Sequence, residues 1–349
     1  MDTDNLDNEN TTASGESDEM YEHYRFQVDT GQSLLRIDKY LTNRIEGASR
    51  TRIRLAADAG FIQVNGKPVK SNYRVKPCDN IRIMMPYERR GLELVPENIP
   101  LNIVFEDDDV IVVDKPAGMV VHPGHGNYSG TLVNALVYHL GLQGKSFDAE
   151  SERAGLLVHR IDKDTSGLLV VAKNDAAHAK LAKQFFDHTT VRRYTALVWG
   201  VFDHREGTVD EYIGRNLQDR MKMTVFPDGE HGKRAITHYR VTEELTYVSL
   251  LECRLETGRT HQIRVHMAHL GHPLFNDEHY GGNRILRGTT FSKYKQFVEN
   301  CFAMLPRQAL HAGILGFKHP RTGDDLLFES PVPDDMNDVI RKWRNYGNN

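Results

Sequence analysis

Residues 159–173 read HRIDKDTSGLLVVAK and join a polar, charged loop directly to an apolar run. The second half, 168–172, is rich in leucine and valine and predicts a buried strand. Polar side chains next to such a strand are often functional, because the strand holds the loop in place. Asp162 is the central carboxylate of the loop and stands two residues after Arg160. Asp164 is a second carboxylate, for which a turn or a helix cap is the plainer interpretation.

The chain has 349 residues, enough for two domains and a sizeable core. No apolar run approaches the roughly 18–20 residues that span a bilayer. The first residues lack the basic-then-apolar pattern of a signal peptide. We therefore expect a cytoplasmic protein without a membrane segment. Cys78, Cys253 and Cys301 are scattered and form no C-x-x-C pair, which predicts neither a disulfide framework nor a zinc site.

Charge is distributed unevenly along the chain. Residues 1–22 carry eight Asp or Glu and no Lys or Arg, and this polar, acidic composition predicts a disordered tail. Residues 36–90 carry 13 Lys or Arg against 5 Asp or Glu. A compact basic segment of this kind favours an anionic partner, with nucleic acid as the leading candidate. The alternative on charge alone is a solvated basic face.

Residues 33–90 read as a small domain with two helices and a hairpin. The apolar positions of 34–41 approximate a helical stripe, and Ser49 has the character of an N-cap before a second helix. The Asn-Gly pair at 65–66 predicts a hairpin turn, and 79–85 predicts a further strand.

Residues 91–100 contain prolines and mixed charge and are predicted to be a linker. A larger domain is predicted over 101–344. Its patterns predict helices over 131–140 and 176–186 and strands over 194–201, 235–241 and 248–255. Many strands with scattered helices, without regular alternation, favour an α+β fold.

The small domain resembles the S4 RNA-binding domain. The resemblance rests on the helix–helix–hairpin order and on four short motifs, namely Arg36–Asp38, Ser49–Arg50, Val64–Gly66 and Cys78–Ile81. It implies that the arginines of the second helix contact RNA. These are Arg50, Arg52 and Arg54.

Further motifs accompany the opening loop in the larger domain. They are VHPG at 121–124, TLVNAL at 131–136, RRYTALVWG at 192–200, ETGRTHQIRVHMA at 256–268, QALHA at 308–312 and HPRTG at 319–323. In order and spacing they resemble the RluA-type pseudouridine synthase family over roughly 100–344. With an S4-like domain in front, the chain is most similar to the family's D-type members, which act on large-subunit rRNA.

The resemblance implies an α+β fold with a large, mainly antiparallel mixed sheet and an active-site cleft. It implies isomerisation of uridine in RNA, most simply 23S rRNA: the N-glycosidic bond breaks, the uracil rotates, and C5 bonds to C1′. The reaction needs no cofactor and no metal. We expect the protein to act on RNA as a monomer.

By the same resemblance, Asp162 is the catalytic carboxylate, and a carboxylate can attack C1′ or remove the C2′ proton. Arg264 matches an active-site arginine, which would keep Asp162 ionised and oriented. Tyr194 would stack on the target base. Arg160 would enter the RNA stack when that base leaves it.

Three further basic residues are predicted to contact RNA, and one loop residue departs from the family pattern. Arg192, Arg193 and Lys173 are expected phosphate contacts. Asn276 stands where the family often has glycine, which leaves the conformation of that loop open.

The sequence offers four alternatives to a metal-free rRNA pseudouridine synthase. His261, His266, His269 and His272 suggest a metal, but no matching carboxylate or cysteine set accompanies them. A glycosidase is disfavoured by the basic N-terminal domain. A non-catalytic RNA-binding or ribosome-assembly protein would be free to lose the catalytic residues, which are all present. A synthase that acts on tRNA stays open.

Overall fold

The computed structural model describes residues 21–45, 50–85, 95–124, 127–141, 157–219, 222–229 and 231–347. The chain divides into two compact units, Met1–Gly91 and Leu92–Asn349. In the described ranges, no helix combines the length and apolar character needed to cross a membrane.

The first unit contains two short helices and two small sheets. Its elements are β1 (Tyr21–Gln27), β2 (Leu35–Arg36), α1 (Ile37–Thr42), α2 (Arg50–Asp58), β3 (Ile62–Val64), β4 (Lys67–Pro68), β5 (Arg74–Val75) and β6 (Asn80–Met85). The larger sheet has the order β1-β6-β3-β4, and β2 pairs with β5. The predicted turn joins β3 to β4, with positive φ at both Asn65 and Gly66, which suits this residue pair.

Two details of this unit differ from the sequence-based expectation, and a third prediction falls outside the described residues. Strand β1 begins at Tyr21 and pairs antiparallel with β6, so the last two residues of the range 1–22 predicted as a tail lie in a strand. Its aromatic residues Tyr24 and Phe26 pack against the unit's core. The acidic composition of the preceding residues did not indicate this strand. Leu35 lies in β2 rather than in the first helix. Ser49, the predicted N-cap, lies outside the described residues.

The second unit is built on one large sheet. Its strands are β7 (Ile103–Glu106), β8 (Val110–Lys115), β9 (Ser166–Ala172), β10 (Val191–Trp199), β11 (Glu206–Arg215), β12 (Met223–Val225), β13 (Lys233–Leu245), β14 (Val248–Leu255), β15 (Leu310–Lys318) and β16 (Asp325–Glu329). Its helices are α3 (Leu132–His139), α4 (Asp175–Phe186), α5 (Gln262–His269), α6 (Ser292–Met304) and α7 (Asp334–Gly347).

The sheet is mixed and mainly antiparallel. Its strands follow the order β12-β11-β13-β14-β10-β15-β9-β8-β7, and β16 pairs with β15. Only the β15–β9 pairing is parallel among the described strands. The α+β expectation is confirmed, and the predicted helices and strands of this unit are present with ends shifted by a few residues.

Strand β9, the apolar half of the opening stretch, is buried along its whole length. It runs between β8 and β15, so neighbours cover both of its edges. At Gly167, φ is +116°, and a Cβ there would lie 2.3 Å from the carbonyl oxygen of Ala312. Only glycine permits this approach. The loop that carries Asp162 is thereby held against the first residues of β15.

Candidate active site

The loop that carries Asp162 is anchored through its backbone. The amide of Thr165 donates to the carbonyl of Asp162 at 3.1 Å and closes a tight turn. The buried ammonium of Lys115 donates to the carbonyl of Lys163 at 2.9 Å, and Arg307 donates to the carbonyl of Asp164 at 3.2 Å. The side chains of Lys115 and Arg307 therefore both hold the backbone of this loop. Asp164 lies in the turn, in agreement with its plainer interpretation.

Arg264 joins Asp162 to a second carboxylate. Its Nη1 donates to Oδ2 of Asp162 at 3.0 Å. Its Nε and Nη2 donate to the two oxygens of Asp277 at 2.7 and 2.8 Å, a bidentate pair. Arg264 is 3% exposed and Asp277 is 0% exposed, so this pair lies in the protein interior. Asp277 was not singled out from the sequence.

This arrangement orients the carboxylate of Asp162. Burial opposes the charge of Arg264, but the hydrogen bonds and charges of Asp277 and Asp162 outweigh it and raise the pKa of the guanidinium. Arg264 therefore stays charged and holds Oδ2 of Asp162. Within the described residues, no group hydrogen-bonds Oδ1, which leaves that oxygen for a reacting atom.

Arg264 lies on helix α5. The helix begins after His261, whose φ of 55° puts it in the left-handed region. The buried amide of Gln262 then bonds the backbone carbonyl of Ile236 at 3.0 Å and the hydroxyl of Thr237 at 2.9 Å. These contacts fix the first turn of α5 to β13. His261 and Gln262 thus begin a helix after strand β14, and Arg264 on this helix contacts Asp162.

Tyr194 and Arg192 share one face of β10, because side chains alternate along a strand. Tyr194 is 8% exposed and Arg192 is 6% exposed. Burial raises the pKa of the Tyr194 phenol, and the charge of Asp162 raises it further while Arg192 opposes the shift. Tyr194 is therefore a neutral hydroxyl at pH 7.

These groups line one cavity of about 650 Å³. That volume falls in the usual range for small-molecule sites. Its walls include the predicted residues Arg160, Asp162, Tyr194 and Arg264. Arg160 is an exposed residue of this lining. The cavity therefore combines a carboxylate, a tyrosine ring and several cations in a space open to solvent.

His261 is a further cavity residue whose position the sequence did not indicate. Its Nδ1 lies 2.8 Å from the Tyr280 hydroxyl, and its Nε2 lies 4.0 Å from Oδ2 of Asp162. Burial lowers the pKa of His261, although Asp162 opposes the shift. Its imidazole is therefore neutral at pH 7 and can offer one N–H toward the carboxylate or a ligand.

The histidines weighed as metal ligands are placed otherwise. Nδ1 of His266 bonds the Thr237 hydroxyl at 2.9 Å, and Nδ1 of His272 bonds the carbonyl of Trp199 at 2.8 Å. The described ranges contain one group with metal-ligand spacing. It consists of Asp107, Asp109 and His319, whose ligand atoms lie within 4.8 Å of one another. Its carboxylates already pair with His319 and Arg321.

The remaining predicted contacts lie outside this cavity. Arg193 is on the opposite face of β10 and lies 3.7 Å from Glu252. Lys173, just beyond β9 at the end away from Asp162, pairs with Glu106 at 2.7 Å. Contacts of these two residues with RNA stay predictions.

In the first unit, helix α2 carries the predicted arginines. Arg50 pairs with the buried carboxylate of Asp38 at 3.2 Å and keeps more than half of its side chain exposed. Arg54 is exposed. The side chain of Arg52 lies outside the described part of the chain.

Comparison with known proteins agrees with this fold. The family model described as RNA pseudouridylate synthase matches residues 109–269, and the S4 domain model matches 35–81. An uncharacterised RNA pseudouridine synthase of Chlorobaculum parvum is 49% identical over 90% of this chain and 95% of its own. A solved human structure, RNA pseudouridylate synthase domain containing 4, matches with a TM-score of 0.51 and 23% identity. It covers 70% of this chain and 93% of its own, and it supports the fold alone.

The protein is thus an RNA-modifying enzyme whose S4 domain precedes the synthase domain in the sequence. The chain belongs to the RNA pseudouridine synthase family, whose members isomerise uridine to pseudouridine. The resemblance stated from the motifs is confirmed. The reading as a non-catalytic RNA-binding protein is not supported.

Proposed function

We propose that this synthase isomerises uridines of large-subunit (23S) rRNA and that Asp162 is its catalytic carboxylate. A relative from Zymomonas mobilis, named ribosomal large subunit pseudouridine synthase D, supports the rRNA target. It is 45% identical over 86% of this chain and 91% of its own. The observation that carries the role of Asp162 is its 3.0 Å pairing with the buried Arg264 in the cavity wall.

The chemistry then follows from the position of the free carboxylate oxygen. Oδ1 of Asp162 attacks C1′, or it removes the proton from C2′. In either route the C1′–N1 bond breaks and its electron pair leaves with the uracil. The uracil rotates and its C5 bonds to C1′. In the first route this step displaces the Asp162 carboxylate from C1′, and in the second route the proton removed from C2′ returns to C2′. C5 then loses its proton and N1 gains one, so that no group is transferred. Arg264 keeps Oδ2 occupied throughout, so Asp162 presents one oxygen in one orientation.

Tyr194 and Arg160 have roles that match their burial. The Tyr194 ring forms a fixed wall on which the target base stacks, because it is buried and neutral. Arg160 is exposed at the cavity and fills the space that the extruded base leaves in the RNA.

The S4 unit docks structured RNA through phosphate contacts of Arg50, Arg52 and Arg54. Arg193 and Lys173 are further candidates for phosphate contacts, and each has an acidic partner with which a phosphate would compete. Action as a monomer in the cytoplasm stays a prediction.

The experiment measures tritium release from C5-labelled uridine in 23S rRNA transcripts, with tRNA transcripts in parallel. Carbodiimide-stop sequencing then maps the modified positions. Release from 23S rRNA at defined uridines is expected. Release from tRNA alone would show that the substrate is tRNA rather than 23S rRNA. Release from neither RNA, with RNA binding retained, would contradict the proposal.

A further inference from the structure

Four Lys or Arg side chains are buried in the described residues of the protein, namely Lys115, Arg192, Arg264 and Arg307. Three of them have several hydrogen-bond or ion-pair partners. Arg264 bonds two carboxylates and Arg307 bonds the carboxylate of Asp335 at 2.7 Å. The ammonium of Lys115 donates to three backbone carbonyls between 2.7 and 2.9 Å.

Arg192 differs from the other three. Its Nη2 donates to the carbonyl of Glu256 at 2.8 Å, and its buried Nε has no hydrogen-bond partner. No carboxylate within the described ranges forms an ion pair with it. A buried cation with so few partners is costly, because desolvation is not repaid by an opposite charge.

The guanidinium of Arg192 faces the cavity of the proposed active site. It is one of the lining groups, and it lies 5.4 Å from the centre of the Phe185 ring. A Cβ on Gly258 would lie 2.8 Å from its Nη1. The guanidinium can occupy this position because residue 258 has no side chain. Arg192 is therefore held on an aromatic wall with unused donors.

We propose that Arg192 is a substrate-binding residue and that its missing counter-ion is a phosphate of the RNA backbone at the target nucleotide. A guanidinium suits this ligand, because its planar donors match phosphate oxygens and its charge is permanent. RNA supplies such an anion at every nucleotide that enters the cavity. The inference rests on the proposed function, which makes this cavity the RNA site.

The test compares Arg192→Met with Arg344→Met in the full-length chain. Methionine removes the charge and keeps the apolar stem. Arg344 lies on α7, pairs with Glu243 at 2.7 Å and does not line the cavity, so it controls for the loss of one positive charge. Affinity for the 23S rRNA transcript is measured by filter binding between 50 and 200 mM salt.

For Arg192→Met we expect roughly tenfold weaker binding or more. The slope of log affinity against log salt should fall in magnitude by about one, as for one lost phosphate contact. Arg344→Met should keep the wild-type affinity and slope. Unchanged affinity and slope in Arg192→Met, or equal losses in both variants, would overturn the proposal.

Thermal unfolding separates binding from a structural role. We expect Arg192→Met to unfold at the wild-type temperature or above, because it removes an uncompensated buried charge. Inorganic phosphate should stabilise the wild type more than this variant. A marked loss of stability that accompanies the loss of binding would assign Arg192 a structural role instead. If the wild type binds rRNA but does not isomerise it, the proposed function fails while the slope comparison still decides the role of Arg192.

Discussion

Asp277 is expected to be the residue on which the position of Arg264 depends, and Asp277→Asn tests this. Asp277 is fully buried and accepts from Nε and Nη2 of Arg264 at 2.7 and 2.8 Å. It also accepts from the backbone amide of His279 at 3.1 Å. An asparagine has the same shape but offers one acceptor oxygen, and its amide group would face an N–H donor of Arg264.

The expected loss of stability follows from the burial of the Asp277–Arg264 ion pair. Removal of one partner from a buried ion pair costs about 3–5 kcal/mol, because the remaining charge loses its compensation. The total stability of a protein domain is about 5–15 kcal/mol, so the variant should fold with a reduced margin. Urea unfolding measures this loss directly.

Activity should fall for a separate reason. Arg264 loses the bidentate anchor that orients it, so Asp162 no longer presents its free oxygen in one direction. Misplacement of a reacting group by about 1 Å costs roughly 100-fold in rate. We expect kcat for tritium release to fall by about that factor at a temperature where the variant is folded, with less change in KM.

Glu243→Gln is the matched control. It removes the charge of a partly exposed bidentate pair with Arg344, away from the cavity lining. Its stability should change by less than about 1 kcal/mol and its activity should not change. The reasoning is refuted if Asp277→Asn keeps wild-type stability and kcat.

Tyr194→Phe should bind RNA like the wild type, whereas Tyr194→Leu should lose roughly 1–3 kcal/mol of binding free energy, because only an aromatic ring stacks on a base. Equal affinities in filter binding would exclude the stacking role. Gly167→Ala should lower the free energy of unfolding by about 2–5 kcal/mol, since its Cβ would meet the carbonyl of Ala312 at an unfavourable φ. A wild-type urea midpoint would contradict this. Burial lowers the pKa of His266 from 6.5 to about 4, so the unfolded chain takes up this proton first as pH falls. Stability should therefore decrease from about pH 6.5 toward pH 4, by at most about 1.4 kcal/mol per pH unit from this group. His266→Gln should show a shallower dependence in urea unfolding at pH 7 and pH 5, and an unchanged slope would rule out this contribution.

Much of the fold could be predicted from local patterns. The apolar run of β9 and the Asn-Gly turn at 65–66 have strong signals, and both are present as predicted. Strand β1 was missed because its sequence follows an acidic tail, although Tyr24 and Phe26 alternate as a half-buried strand requires. Pairing with β6, about 60 residues later, is what stabilises this strand.

The site was predicted only in part. Motif resemblance indicated Asp162 and Arg264, which lie 102 residues apart in the sequence. It did not indicate Asp277, because a buried carboxylate in a loop has no periodic signal. Asn276 adopts a φ of 56°, which agrees with the frequent glycine at that position in the family.

No helix was predicted over residues 262–269, where Arg264 lies. The start of this helix depends on the left-handed backbone at His261 and on the hydrogen bond from Gln262 to β13, which no local sequence pattern indicates. For Arg192 a signal was available: the period of two along β10 places it on the face of Tyr194, whereas Arg193 lies on the other face.

The most direct test of the central claim is single-turnover tritium release by Asp162→Asn on the 23S rRNA transcript, beside the wild type. Asparagine keeps an acceptor for Arg264 but cannot act as a nucleophile or base, so the variant should bind RNA within about twofold of the wild type. We expect it to release no tritium above the level without enzyme. Release at the wild-type rate would show that another group performs the chemistry and would contradict the account.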